Sequence, residues 1–199
     1  MQPTFPVTLT FKFSLFTEVR VEGAQAQLLA VVKEKKFSLR DEVRVFADEA
    51  RTQLAYTIRA DGVLDWRATR RVRDAHGREL GALRAQGLRT ALGARYDILG
   101  PDGQVAFTLA DDHPWLGVLE GVIGAVPIIG DFVAVGFDYL VNPTYTVRDA
   151  AGTPAYRVRK RRSLFARRFV IEALTPPASE AELVVLALVQ LVLRERERG

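Results

Sequence analysis

The sequence contains no cysteine, and its 199 residues include only two histidines and one methionine. Without cysteine there are no disulfide bonds, no thiolate nucleophile and no cysteine-type zinc site. The sequence also lacks a glycine-rich phosphate loop, a G-x-S-x-G nucleophile motif and an EF-hand loop. We therefore expect a binding module rather than an enzyme, and the sequence indicates no cofactor.

Long apolar runs are also missing. The longest uncharged stretch of the most apolar region, Gly121–Gly130, is shorter than the roughly 20 residues that a membrane-spanning helix needs. The first residues, MQPTFPVTLTFKF, have neither a basic start nor a long apolar core, so no secretory signal is predicted. We expect a cytoplasmic protein, with peripheral membrane attachment as a further possibility.

Basic residues outnumber acidic ones, with a formal net charge of +4 and 23 arginines against 5 lysines. A basic balance favours partners that carry phosphate, either lipid or nucleic acid. The excess of arginine over lysine has two explanations: a GC-rich genome, or selection for bidentate phosphate contacts.

Alternation of apolar and polar residues with a period of two dominates the chain and predicts β-strands. The clearest example is residues 5–15, where Phe5, Val7, Leu9, Phe11, Phe13 and Leu15 share one side. Ten further strands are predicted at Leu28–Val32, Val43–Phe46, Leu54–Ile58, Trp66–Val72, Glu79–Leu83, Tyr96–Ile98, Val105–Leu109, Tyr145–Val147, Ala155–Val158 and Phe169–Ala173.

The turns between these strands repeat. VRDAHG at 72–77 recurs as VRDAAG at 147–152, and ILGPDG at 98–103 has the same shape. Glycine supplies the positive φ that a tight hairpin needs, and aspartate bonds to nearby backbone N–H groups. Repeated hairpins without helical patterns between them favour an antiparallel barrel or sandwich.

The carboxyl-terminal stretch Leu183–Leu193 is uncharged, and ten of its eleven residues are apolar. Ser179 and Glu182 form a capping-box pattern that predicts a helix start. A helix that is apolar on every side must be surrounded by protein, and a closed sheet surrounds it whereas a single sheet face does not. We therefore predict a mainly β fold: a closed antiparallel barrel of about 12 strands around a central apolar helix.

Four stretches are similar to one known family in their order and spacing: 28–62 with its F-S-L-R-D step, 72–88, 95–109 and 142–174. The chain resembles the LURP-one-related and phospholipid-scramblase-like proteins, which share the fold of tubby C-terminal domains. The resemblance implies one domain over 1–199, with two pseudo-repeated halves at 5–111 and 142–174. An insertion at 113–141 and a core helix at 180–196 complete it.

What the family resemblance implies about function is limited. Tubby itself binds phosphoinositides through a basic pocket, and scramblase-like proteins are linked to membranes, lipid movement and calcium. Fold alone does not transfer activity. A calcium site like that of scramblases would need an acidic cluster, and Asp61 and Asp65 are too few for one.

The richest basic run is RVRKRRSLFARR at 157–168. On a strand, Arg157, Arg159 and Arg161 share the face opposite Tyr156 and Val158. Either this is the polar outside of a barrel or it binds an anionic phospholipid surface. The candidate contact residues are Arg157, Arg159, Lys160, Arg161, Arg162, Arg167 and Arg168. A second basic stripe is predicted from Arg67, Arg70, Arg71 and Arg73, and a third group from Lys33, Lys35 and Lys36.

The apolar insertion is interrupted by Gly121, Gly124, Pro127 and Gly130, which predicts a short helical pair at about 115–140. It either packs on the barrel or contacts a membrane, a protein partner or a second copy. The contact candidates are Trp115, Leu116, Ile123, Ile128, Ile129 and Phe132. A protein-interaction or apolar-ligand-carrier domain using 115–139 is therefore the alternative function.

Two other partner classes fit the sequence poorly. Nothing resembles an aromatic platform for stacking bases, which argues against nucleic acid. Asp111, Asp112 and His113 are adjacent, and adjacent positions do not easily face one metal ion, so no metal site is predicted.

Overall fold

The computed structural model describes residues 1–12, 18–34, 42–62, 69–86, 95–111, 144–161 and 167–197. These form twelve strands and one helix, α1 (Ala181–Glu197). The strands are β1 (Val7–Lys12), β2 (Glu18–Glu22), β3 (Leu28–Glu34), β4 (Glu42–Phe46), β5 (Leu54–Ala60), β6 (Arg70–Asp74), β7 (Glu79–Ala85), β8 (Arg95–Leu99), β9 (Val105–Asp111), β10 (Thr144–Asp149), β11 (Pro154–Arg161) and β12 (Arg167–Ala173).

The strands form a closed barrel in which each pairs antiparallel with the next. The circle closes between β1 and β12, where Leu9 lies opposite Phe169. This confirms the predicted fold class. The expected helical insertion at 115–140 lies outside the described residues.

One strand was missed. The prediction of a single strand over 5–15 is confirmed only for β1, and β2 follows at Glu18–Glu22. In β2 only Val19 and Val21 are buried, and they alternate with charged residues. Two valines between charges give a weak periodic signal, so the neighbouring strands define this element more than its own sequence does.

The repeated turns are hairpins of one design. Gly77 and Gly152 have φ of 83°, in the left-handed region that favours glycine. In each turn the preceding aspartate accepts two backbone N–H bonds: Asp74 from His76 and Arg78, both at 2.9 Å, and Asp149 from Ala151 at 3.0 Å and Thr153 at 2.8 Å. The predicted roles of glycine and aspartate in these turns are confirmed.

Alternate connections of an up-and-down barrel lie at the same end. The end formed by 23–27, 47–53, 75–78, 100–104 and 150–153 is called the turn rim. The other end, where β1, β3, β5, β7, β9 and β11 finish, is called the far rim.

Helix α1 occupies the interior of the barrel. Every residue from Leu183 to Leu193 is at most 5% exposed, including Gln190 at 4%. Side chains alone fill an eight-stranded barrel, whereas twelve strands enclose a wider space that this helix fills. Each buried aliphatic side chain contributes roughly 1.5–3 kcal/mol relative to exposure. The Oε1 atom of Gln190 is buried without a hydrogen-bond partner among the described residues.

Contacts at the turn rim set the direction of the helix. Glu182, in its first turn, accepts hydrogen bonds from the Tyr56 hydroxyl and from the Met1 ammonium group. Burial, followed by the bond to Glu182, raises the pKa of Tyr56. The helix therefore starts at the turn rim and its carboxyl end points toward the far rim.

The helix approaches the wall most closely at β7 and β8. A Cβ atom on Gly81, at φ 148°, would lie 2.1 Å from the Leu99 carbonyl oxygen and 2.7 Å from Leu183 Cδ2. Glycine at this inward position allows wall and helix to meet.

Shortening a helix side chain should therefore cost much more than shortening a wall side chain that faces water. Leu188 is 1% exposed and Leu54 is 39% exposed. We expect Leu188→Ala to lower the free energy of unfolding by about 2–5 kcal/mol and Leu54→Ala by less than about 1 kcal/mol. Urea denaturation followed by circular dichroism measures both. Equal losses would show that the helix is not the core.

Candidate functional site

The basic run forms part of the outer wall of the barrel. Along β11, Tyr156 and Val158 are buried in the interior, while Arg159 and Arg161 are exposed and Arg157 is half-buried. Alternation along the strand is the cause, because successive side chains point to opposite faces. The three arginines share the outer face, as the sequence predicts.

The other candidates of this run divide between the two faces. Lys160 is half-buried on the inner side with Tyr156 and Val158, and it lies opposite Phe169. Arg168 of β12 is exposed on the outer side, and Arg167 is the first residue of that strand. Arg162 lies outside the described residues.

Register brings Arg161 and Arg168 together. They are directly opposite in the antiparallel pair of β11 and β12, and Arg168 is in turn opposite Thr10 of β1. Arg157 lies opposite Glu172, which reaches diagonally to Arg159 with an N–O distance of 3.3 Å. The outer face of β11 and β12 therefore carries four arginines and one carboxylate, and this set is called the arginine face.

Most arginines elsewhere on the wall are paired with carboxylates. Ion pairs of 3.5 Å or less join Arg20 to Glu22 and Glu49, Arg44 and Arg59 to Glu42, Arg51 to Glu18, Arg71 to Asp61 and Glu79, Arg73 to Glu79, Arg78 to Asp74, and Arg84 to Asp97. In the described part of the chain, no carboxylate lies within 4.0 Å of Arg157, Arg161 or Arg168. The arginine face is therefore the part of the wall where positive charge accumulates on neighbouring strands.

The second and third basic groups are different. Arg71 donates to Asp61 at 3.0 Å and to Glu79 at 2.7 Å, so its charge is balanced. Arg70 is 3% exposed and faces the interior with Val72. The expectation of a basic outer stripe on this strand is therefore wrong for Arg70, whose strand position points inward. Lys33 lies on β3, while Arg67, Lys35 and Lys36 lie outside the described residues.

Two connections that lie outside the described residues join strands at the far rim. The arginine face reaches this rim at Arg161, where connection 162–166 begins. Asp111 is the last residue of β9 and Thr144 is the first residue of β10. They flank the apolar connection 112–143, and both lie at the same rim. Trp115, Leu116, Ile123, Ile128, Ile129 and Phe132 belong to that connection and lie outside the described residues.

Sequence reasoning missed two residues of this region, Glu172 and Thr10. Glu172 attenuates the charge of Arg159, and Thr10 occupies the position beyond Arg168. Both assignments depend on which residues face each other across strands. The closure of β1 against β12, distant in sequence, carries no local signal.

The described ranges offer little metal chemistry. Within them, no group of three or more histidine, aspartate or glutamate side chains is placed to hold a metal ion. Asp61, considered for calcium, is engaged by Arg71. No helix in these ranges combines the length and apolar character needed to cross a bilayer.

A closed antiparallel barrel wrapped around an apolar carboxyl-terminal helix, with a basic outer face, defines the class of this protein. Residues 29–118 match the model of the LURP-one-related family, in agreement with the resemblance found in the sequence. No curated protein and no solved structure matched the chain.

The paired region of the wall should lose stability in acid. The hydrogen bond from Arg44, helped by the charge of Arg59, holds the pKa of Glu42 below its usual value. The folded state thus binds this proton more weakly than the unfolded state. The contribution of Glu42 is present above the unfolded carboxyl pKa of about 4.3 and is lost as pH falls through the lower, folded value.

We expect Glu42→Gln to lower the free energy of unfolding at pH 7 by less than about 1 kcal/mol, because Arg44 is half exposed and solvent screens the pair. The difference from the wild type should shrink below pH 4. Urea titrations at pH 7 and pH 3 measure it. A constant difference at both pH values would contradict the assigned pKa direction.

Proposed function

We propose that this LURP-one-related protein is a non-enzymatic module that associates peripherally with anionic phospholipid surfaces through its arginine face. The observation that carries the proposal is the contrast in charge pairing around the barrel. Arginines on most of the wall have carboxylate partners, whereas Arg157, Arg161 and Arg168 have none among the described residues. An unbalanced cluster of guanidinium groups attracts an anionic surface, and paired arginines do so weakly.

The magnitude of this attraction indicates that a second contact is needed. Each cation near an anionic bilayer contributes about 1 kcal/mol, so three unpaired arginines supply roughly 3 kcal/mol. That alone corresponds to weak, salt-sensitive binding, and stable attachment takes two signals. Asp111 and Thr144, the strand ends that flank the apolar connection 112–143, lie at the far rim, and Thr144 is opposite Arg159 of the arginine face. The candidates within 112–143, such as Trp115 and Ile128, would supply the apolar contact.

Co-sedimentation with phosphatidylcholine vesicles, with and without phosphatidylserine, tests the proposal at low and physiological salt. We expect binding only to the anionic vesicles, weakening as salt rises because of screening. The triple variant Arg157→Gln, Arg161→Gln, Arg168→Gln should bind about 100-fold more weakly, since each lost cation costs about fivefold.

The matched control is the triple variant Arg44→Gln, Arg73→Gln, Arg78→Gln, which loses the same net charge from arginines that are paired with carboxylates. We expect it to lose less than about fivefold. Equal losses in the two variants, or no binding of the wild type at low salt, would refute the proposal.

The alternative function, a protein-interaction or ligand-carrier domain using 115–139, predicts different behaviour. Light scattering would find a stable dimer that Ile128→Asp dissociates, and anionic vesicles would not bind. That result would replace the membrane proposal.

A further inference from the structure

The pair formed by Arg161 and Arg168 is the most unusual feature of the arginine face. Two like charges directly opposite each other in an antiparallel pair repel and destabilise the sheet. Both side chains are exposed on the same face, at the far rim. This repulsion destabilises the folded protein when no ligand is bound, and an anion between the two guanidinium groups removes it.

The described neighbours of the pair do not balance its charge. On one side, Arg168 lies opposite Thr10, which is uncharged. The next residue in that row, Arg20, is already held by Glu22 at 2.9 Å and by Glu49. On the strands of the pair itself, the carboxylate of Glu172 is directed to Arg159 at 3.3 Å. Two positive charges therefore remain together at the rim, among the residues that the structure describes.

We infer that Arg161 and Arg168 form a subsite for the phosphomonoester headgroup of a membrane lipid. Each planar guanidinium offers two parallel N–H donors that match phosphate oxygens, and two guanidinium groups match the dianionic charge of a phosphomonoester. A phosphodiester carries one charge and leaves the pair half neutralised. The inference rests on the proposed function, in which the phosphate belongs to a bilayer, and both side chains are exposed at the far rim, where such a surface can reach them.

The test distinguishes the contribution of the paired guanidinium N–H donors from that of the positive charge. Vesicles of phosphatidylcholine with phosphatidic acid, a phosphomonoester, are compared with vesicles containing phosphatidylserine at equal surface potential. We expect the wild type to prefer phosphatidic acid by about tenfold. The double variant Arg161→Lys, Arg168→Lys keeps both charges and loses the paired N–H donors. It should bind phosphatidylserine within about twofold of the wild type and lose the preference.

The control variant Arg44→Lys, Arg95→Lys should keep the preference. A wild type without preference, or a double lysine variant that retains it, would overturn the subsite and leave the proposed function standing. Failure to bind either vesicle would refute both.

A second measurement does not depend on lipid. Arg168→Gln removes the cross-strand repulsion, so we expect its Tm to rise by about 1–3 °C at low salt. The gain should disappear at high salt because repulsion is then screened. A Tm that falls would show that the two guanidinium groups do not repel, and the subsite would lose its basis.

Discussion

The contact between the apolar helix and the inner wall of the barrel is the constraint on which the rest of the structure depends. From Leu183 to Leu193 the helix is apolar on every side, and a segment of this kind is stable in water only when protein encloses it completely. Twelve strands are wide enough to hold it, and the alternating inward residues of each strand supply the lining. Because helix α1 occupies the interior, the outer wall and the two rims are the surfaces that the described residues leave exposed.

The outer wall shows where charge serves stability and where it does not. Residues such as Glu42, Glu79 and Asp97 each hold one or two arginines, so most of the wall is close to neutral locally. The arginine face departs from this pattern at the point where β11, β12 and β1 meet. A local excess of one charge that weakens the folded state is common at binding sites, where stability is exchanged for recognition. The match of residues 29–118 to the LURP-one-related family model is consistent with this reading and assigns no ligand.

The fold could be predicted from the sequence to a large extent, and the site only in part. Period-two alternation in Val7, Leu9 and Phe11 and the uninterrupted apolar helix lead directly to a barrel with a core. The positive charge of the run at 157–168 is evident in the sequence. How much of that charge is balanced depends on cross-strand partners, which the sequence does not reveal. Arg159 pairs with Glu172, whereas Arg161 and Arg168 have no such partner in the described structure. Arg70 shows the same limit of sequence-based prediction. It was expected in the second basic stripe together with Arg71, but its side chain is buried in the barrel interior.

What the sequence determined by itself was local: strand periodicity, the Asp–Gly hairpins at 74–77 and 149–152, and the need to enclose α1. These follow from backbone geometry and from the free energy of burying apolar surface, which act over a few neighbouring residues. Only the tertiary structure decided which charges meet, how β1 closes on β12, and why Gly81 must lack a side chain. Those outcomes depend on register between distant strands, where a shift of one residue turns every side chain to the opposite face.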